Sequence, residues 1–117
     1  SDIVLVIAGS SAGSEDYTAE VIRSKGDVLV HGVNIKPGKP VILGLINNKP
    51  VIGVPGFPVS AYLAYTLFVR PLIERYFGTG ERRPDTVRAR LSRQVSSPLG
   101  VEEFVRVKLG DVSGRIV

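Results

Sequence analysis

Val51-Ile52-Gly53-Val54-Pro55-Gly56-Phe57-Pro58-Val59-Ser60, continuing as Ala61-Tyr62-Leu63-Ala64-Tyr65-Thr66-Leu67-Phe68-Val69-Arg70-Pro71, is the stretch from which the rest of the chain is read. A short β-branched run stops at Pro55-Gly56 and a long apolar run starts after Pro58, so the punctuation predicts strand, tight turn, helix. Pro58 suits a first helical position, where its fixed φ is an advantage and its missing N–H costs nothing. Gly56, between two prolines, restores the freedom they remove. A stiff loop at the carboxyl end of a strand is where open α/β sheets place ligands.

Upstream, Ile3–Ala8 is a continuous apolar run, expected as a strand buried on both faces of a parallel sheet. Gly9-Ser10-Ser11-Ala12-Gly13-Ser14 then leads into a helix from Glu15, with Tyr17 and Val21 at helical spacing and Gly26 as the expected C′ residue. Asp27–His31 reads as a second strand, completing a βαβ rhythm. Val41–Ile46 and Pro50–Val54 read as a pair joined through Asn47-Asn48-Lys49. The helix after Pro58 carries no charge before Arg70, which predicts burial in a core or against a partner, the chain being too small to bury it alone, and Pro71 predicts a kink or restart before Gly78.

Beyond Gly78 the composition changes. Glu81-Arg82-Arg83-Pro84 is a polar linker, and Thr86–Arg93 and Glu103–Leu109 alternate with period 2, which predicts a separate β unit. The domain division expected is therefore 1–78 and 79–117. Of the net charge of +4, residues 1–78 hold +1 (7 Lys/Arg, 6 Asp/Glu) and 79–117 hold +3 (8 against 5). The tail arginines alternate with apolar residues and lack aromatic platforms, so a solvated strand face accounts for them and nucleic acid is not expected. No run approaches a membrane span. The absence of cysteine excludes disulfides and thiolate metal sites and fits a cytoplasmic protein. With no methionine at position 1 and a strand pattern from the outset, a fragment is expected.

Three clusters could carry chemistry. In Gly9–Ser14 with Asp16, small residues would let backbone N–H groups approach a phosphate or pterin, and Asp16 could hold Mg²⁺; the same spacing fits a plain strand-to-helix turn. In Lys36-Pro37-Gly38-Lys39-Pro40, prolines stiffen a turn bearing two ammonium groups suited to a multiply charged anion, or simply two solvated lysines. The third, Pro55–Ser60, is a rigid loop whose Ser60 is a helix-start residue with no base placed for it. His31 reads as structural. No Ser-His-Asp, HExxH or P-loop pattern is present.

In order and spacing, Ala-Gly-Ser-Ser-Ala-Gly-Ser-Glu-Asp-Tyr (8–17), Ile-Lys-Pro-Gly-Lys-Pro (35–40) and Gly-Val-Pro-Gly-Phe-Pro-Val-Ser-Ala (53–61) resemble the molybdopterin molybdenumtransferase family, MoeA and the gephyrin E domain. Two positions depart from the family pattern: Ala8 stands for its first glycine, and Phe57 for an asparagine whose amide could contact ligand. The resemblance implies the C-terminal part of such a protein, with residues 1–78 as the second half of a MogA-like three-layer α/β molybdopterin-binding domain and 79–117 as the start of a β-barrel-like domain. It further implies a homodimer that takes adenylylated molybdopterin and molybdate and, with Mg²⁺, inserts the metal and releases AMP. Carried onto this sequence, Gly9, Ser11 and Gly13 would line the pterin or phosphate site, and Asp16 would act at the metal or the departing AMP. Lys36 and Lys39 would hold phosphate or molybdate, and Pro55, Gly56, Pro58 and Ser60 would shape the pocket. On this reading the fragment alone is expected to be inactive. A MogA-like adenylyltransferase shares these loops but normally lacks a following β unit, and a non-catalytic gephyrin-like dimerisation module is the alternative from another class.

Overall fold

The computed structural model describes residues 2–7, 14–80 and 82–117, with the backbone alone for 14–16. Its centre is a four-stranded mixed sheet in the order β1 (Val4–Ile7), β5 (Lys49–Val54), β4 (Ile42–Ile46), β2 (Asp27–His31). β1 runs parallel to β5, with Val4 opposite Val51 and Ile7 opposite Val54, while β4 is antiparallel to both its neighbours. β1, β2 and β5 therefore share one direction. The expected parallel pairing of the first strand with Val51–Val54 is present, and the helical crossover from β1 to β2 spans two intervening strands.

Helices cover both faces. On one, α1 (Ser14–Lys25) sets Ala19 and Ile22 against Ile42 and Val51; on the other, Val41, Ile52 and Val54 pack against Ala64 and Val69. β5 is buried from Val51 to Val54 because it has a strand on each edge and a helix on each face. β1 does not have that cover. Val4, Leu5 and Ile7 are exposed, Ile7 at 77%, against the expectation of a strand buried on both faces, because β1 lies at the edge of the described sheet with β5 on one side only. The buried stripe of α1 also falls one position over from the Tyr17 and Val21 spacing, on Thr18, Ala19 and Ile22, leaving Tyr17 68% exposed.

The β4–β5 hairpin is tighter than its sequence suggested. Lys49 pairs with Ile46 inside the ladder, and the turn is Asn47-Asn48 alone, both at positive φ (50° and 60°), the geometry that matches the twist of a two-residue hairpin. Gly26 is not a left-handed cap; its N–H bonds the Ile22 carbonyl at 2.8 Å, and its lack of a side chain serves a close passage over Leu45.

After Pro58 the chain forms α2 (Pro58–Ala64), a π-helical turn (Tyr65–Val69) and α3 (Arg70–Phe77). The restart expected from Pro71 takes this form: Pro71 has no N–H to give, and the wider turn immediately before it lets Arg70 N–H reach the Tyr65 carbonyl. The chain alone buries one face of this helix, as its size predicts: Ser60, Ala64 and Val69 are buried toward the sheet, while Val59, Tyr62 and Tyr65 are exposed. Gly78 closes α3 in the left-handed conformation (φ 66°), and Thr79 N–H reaches back to the Glu74 carbonyl at 3.0 Å.

That end of α3 is held by Glu74. Arg70 Nε donates to Glu74 Oε1 at 2.8 Å and Arg82 N–H to Oε2 at 3.2 Å, and these bonds, the Arg70 one foremost, hold the Glu74 carboxyl below the ordinary carboxylate range. A group whose folded form binds its proton more weakly than the unfolded form stabilises fully at neutral pH, and loses that contribution as pH falls through its lowered value. Glu74→Gln should therefore lower the thermal midpoint at pH 7, and the gap from the parent should close on acidification below the ordinary value of 4.5. A gap independent of pH would contradict this.

In the tail, residues 86–93 form neither helix nor ladder. Its strands are β6 (Glu102–Glu103), β7 (Asp111–Val112) and β8 (Arg115–Ile116), two residues each, with β6 parallel to β3 (Ile35–Lys36) and β7 paired with β8. Alternation needs a second layer to bury one face, and Val87 (53% exposed) and Leu91 (64%) have none among the described residues. No described helix is long and apolar enough to cross a membrane.

Candidate functional site

Because β1 and β5 are parallel, the chain leaves both at the same edge: residues 8–13 follow Ile7, and Pro55–Pro58 follow Val54. β4 runs the other way, with Ile42 opposite Gly53, so the segment that feeds it, Lys36–Val41, arrives at that edge too. Gly32 N–H donates to the Val41 carbonyl (2.8 Å) and Val33 N–H to the Lys39 carbonyl (2.9 Å), which closes a loop with the lysine turn at its tip. Gly38 is buried at the bottom of that turn, so close to α2 that a Cβ placed there would lie 3.8 Å from the Ser60 carbonyl oxygen and 3.2 Å from Ile35 Cδ1. Two of the three clusters thus meet. The third, Gly9, Ser11 and Gly13, lies outside the described residues, as does the side chain of Asp16, whose backbone sits in the first turn of α1.

Within the loop pair, Pro55 and Ser60 are buried and Gly56, Phe57 and Pro58 exposed. Phe57 is the N-cap residue of α2 without a side-chain cap, and Pro58 stands at the helix start as its ring chemistry suggests. Burial of Ser60 fits a helix-start residue better than a nucleophile. Lys36 and Lys39 are both exposed. His31, at the end of β2, places Nδ1 3.3 Å from Arg23 Nη2 on α1, a contact between two elements.

One residue was missed. Lys36 Nζ lies 3.4 Å from Glu103 Oε1, and Glu103 is brought there by the β3–β6 pairing. The readable signal was that Glu103 falls in phase with Val101, Val105, Val107 and Leu109, a carboxylate at an apolar position of the period-2 pattern.

A cleft of about 580 Å³ lies elsewhere, between α1 and β1, with Val4, Val6, Tyr17, Val21 and Ile46 in its walls. Its lining is apolar, which suits packing rather than a polyanion. Among the described residues no group of three or more His, Asp or Glu could hold a metal ion.

Residues 1–75 match the family described as "Probable molybdopterin binding domain". The chain belongs to that family. It is 44% identical over 108 residues to a molybdopterin biosynthesis protein of Methanocaldococcus jannaschii, covering 92% of this chain and 25% of that protein. It is 33% identical over 106 residues to the molybdopterin molybdenumtransferase of Haemophilus influenzae, covering 90% and 26%. Among solved structures, a molybdopterin biosynthesis MoeA protein from Pyrococcus horikoshii is similar at TM-score 0.59 and 47% identity over 66% of this chain and 18% of that one. A molybdenum cofactor biosynthesis protein from Pyrococcus furiosus is similar at TM-score 0.64 and 29% identity over 98% and 34%. The chain thus spans about a quarter of the length of the curated relatives it matches. A mixed α/β molybdopterin-binding fold and a place in molybdenum cofactor biosynthesis, among relatives named as transferases, follow from these matches.

Proposed function

We propose that this chain contributes the anion-holding loops of a molybdopterin molybdenumtransferase, which inserts molybdate into adenylylated molybdopterin and releases AMP. The observation that carries the reading is the convergence of the Lys36–Pro40 turn and the Pro55–Ser60 loop at the edge where residues 8–13 leave β1. Both substrates are anions, and two exposed lysines on a stiffened turn would raise their local concentration and orient them. In this reading Pro55 and Pro58 keep the loop shape constant, Gly9, Ser11 and Gly13 line the pterin or phosphate site, and Asp16 acts where the AMP departs and is the residue to which Mg²⁺ would bind.

The same proposal assigns residues 1–78 and 79–117 to two domains, the first being the second half of the molybdopterin-binding domain and the second the opening of a β-barrel-like domain. It places the activity in a cytoplasmic homodimer of the longer protein, with the isolated fragment inactive. Its support is the order of the three motifs and the length of the relatives.

The test is direct. Replacing Lys36 and Lys39 together by alanine in the full-length protein should weaken adenylylated molybdopterin by about tenfold, at about 1 kcal/mol or less per exposed charge contact. The loss should shrink as salt is raised, because ions screen exposed charges. Unchanged affinity in calorimetric titration would overturn the site assignment.

A further inference from the structure

The tail touches the α/β unit at the turn that carries the anion-site lysine. Glu102 N–H donates to the Asn34 carbonyl (2.9 Å) and Phe104 N–H to the Lys36 carbonyl (2.8 Å), flanking the Lys36–Glu103 ion pair on both sides. The two partners differ in their surroundings: the lysine side chain is 62% exposed, the glutamate 17%. Glu103 Oε2 is buried with no hydrogen-bond partner among the described residues, so half of this carboxylate has given up water and received nothing. An exposed ammonium returns little for that loss. The docked carboxylate is therefore poised to leave if something else takes the lysine.

We infer that Glu103 is an internal counter-ion of the anion site, a positioning residue that occupies Lys36 until a phosphate or molybdate oxygen displaces it, so that anion binding loosens residues 102–104 from β3. The inference rests on the anion-site reading of Lys36 and adds the residue that competes for it. A tetrahedral oxyanion carries more charge than one carboxylate oxygen and reaches Lys36 from solvent, while the released carboxylate regains its hydration.

Inorganic phosphate is the probe, titrated calorimetrically into the full chain. Glu103→Gln keeps the shape and removes the competing charge, and phosphate should then bind about fivefold more tightly than to the parent, the upper end expected for losing one partly exposed charge partner. Adding Lys36→Met to Glu103→Gln should abolish the gain. Independently of any variant, saturating phosphate should speed hydrogen exchange in the peptide spanning residues 102–104 of the parent. A merely structural Glu103 would undock the tail on substitution without changing phosphate affinity. Phosphate binding with no gain in Glu103→Gln, or exchange at 102–104 indifferent to phosphate, overturns this inference alone. Absence of phosphate binding to parent and variant alike overturns the anion-site reading with it.

Discussion

Gly26→Ala is expected to destabilise the fold by about 3 kcal/mol or more, the range of substitutions that force backbone apart in a packed core. A Cβ there would lie 1.9 Å from the Leu45 carbonyl oxygen, 2.9 Å from its carbonyl carbon and 3.0 Å from Ile46 Cα. All three are backbone atoms, so no rotamer change relieves the clash. The chain from α1 to β2 would have to lift off β4, opening the Asp27–Leu45 pair where that ladder begins. Denaturant unfolding of parent and variant measures it. Gly78→Ala is the control, because the new methyl meets nothing within 4 Å and pays only for the left-handed backbone, about 1 kcal/mol. Equal losses at the two positions would show that the Gly26 passage is not tight.

The second large effect is on turnover. On the proposed function, Asp16→Asn in the full-length protein should slow AMP release by about 10²–10⁴, the usual contribution of a positioned acid or base. Adenylylated molybdopterin should still bind, because the lysines and the small-residue loop that would hold it are untouched. Single-turnover AMP release beside equilibrium binding separates the two. A variant with full turnover would remove Asp16 from the chemistry, and one that lost binding in proportion would make it a ligand-holding residue.

What could be read from the residues, and what could not, divides along the range of the interactions. The strand ending at Val54, the helix start at Pro58 and the interruption before Pro71 are local matters of φ and missing N–H groups, and the structure has them where the prolines stand. That a turn lies at Asn47-Asn48 was legible for the same reason, though not that Lys49 belongs to the ladder. The burial of β1 was not, because an apolar run says that a strand prefers cover and cannot say how many neighbours it has. Residues 86–93 failed similarly: period 2 is a preference that becomes a ladder only when another layer buries one face. At the site, the meeting of the lysine turn with the Pro55–Ser60 loop follows from strand directions, which the βαβ rhythm and the hairpin foreshadowed. The Lys36–Glu103 contact joins positions far apart in the chain, and only the misplaced charge in the tail pattern hinted at it. Phe57, 63% exposed at the head of α2, leaves its departure from the family pattern at the surface of the loop.

The wide turn at Tyr65–Val69 also sets the phase of everything after it. Each residue of a regular helix turns the following side chains by roughly 100° about the axis, so a turn that takes up one residue more than the α-helical repeat rotates α3 relative to α2. Ala64 and Val69 are both buried, and Leu72 and Ile73 lean on the same cluster, while Arg70 and Glu74 come together beside them. Deleting one residue from this turn would make the bond ladder regular and shift that whole set off its face, turning charged groups toward Val41 and Ile52. The helix is thus a two-part shaft with a fixed offset, and its length between Pro58 and Pro71 is as constrained as its composition.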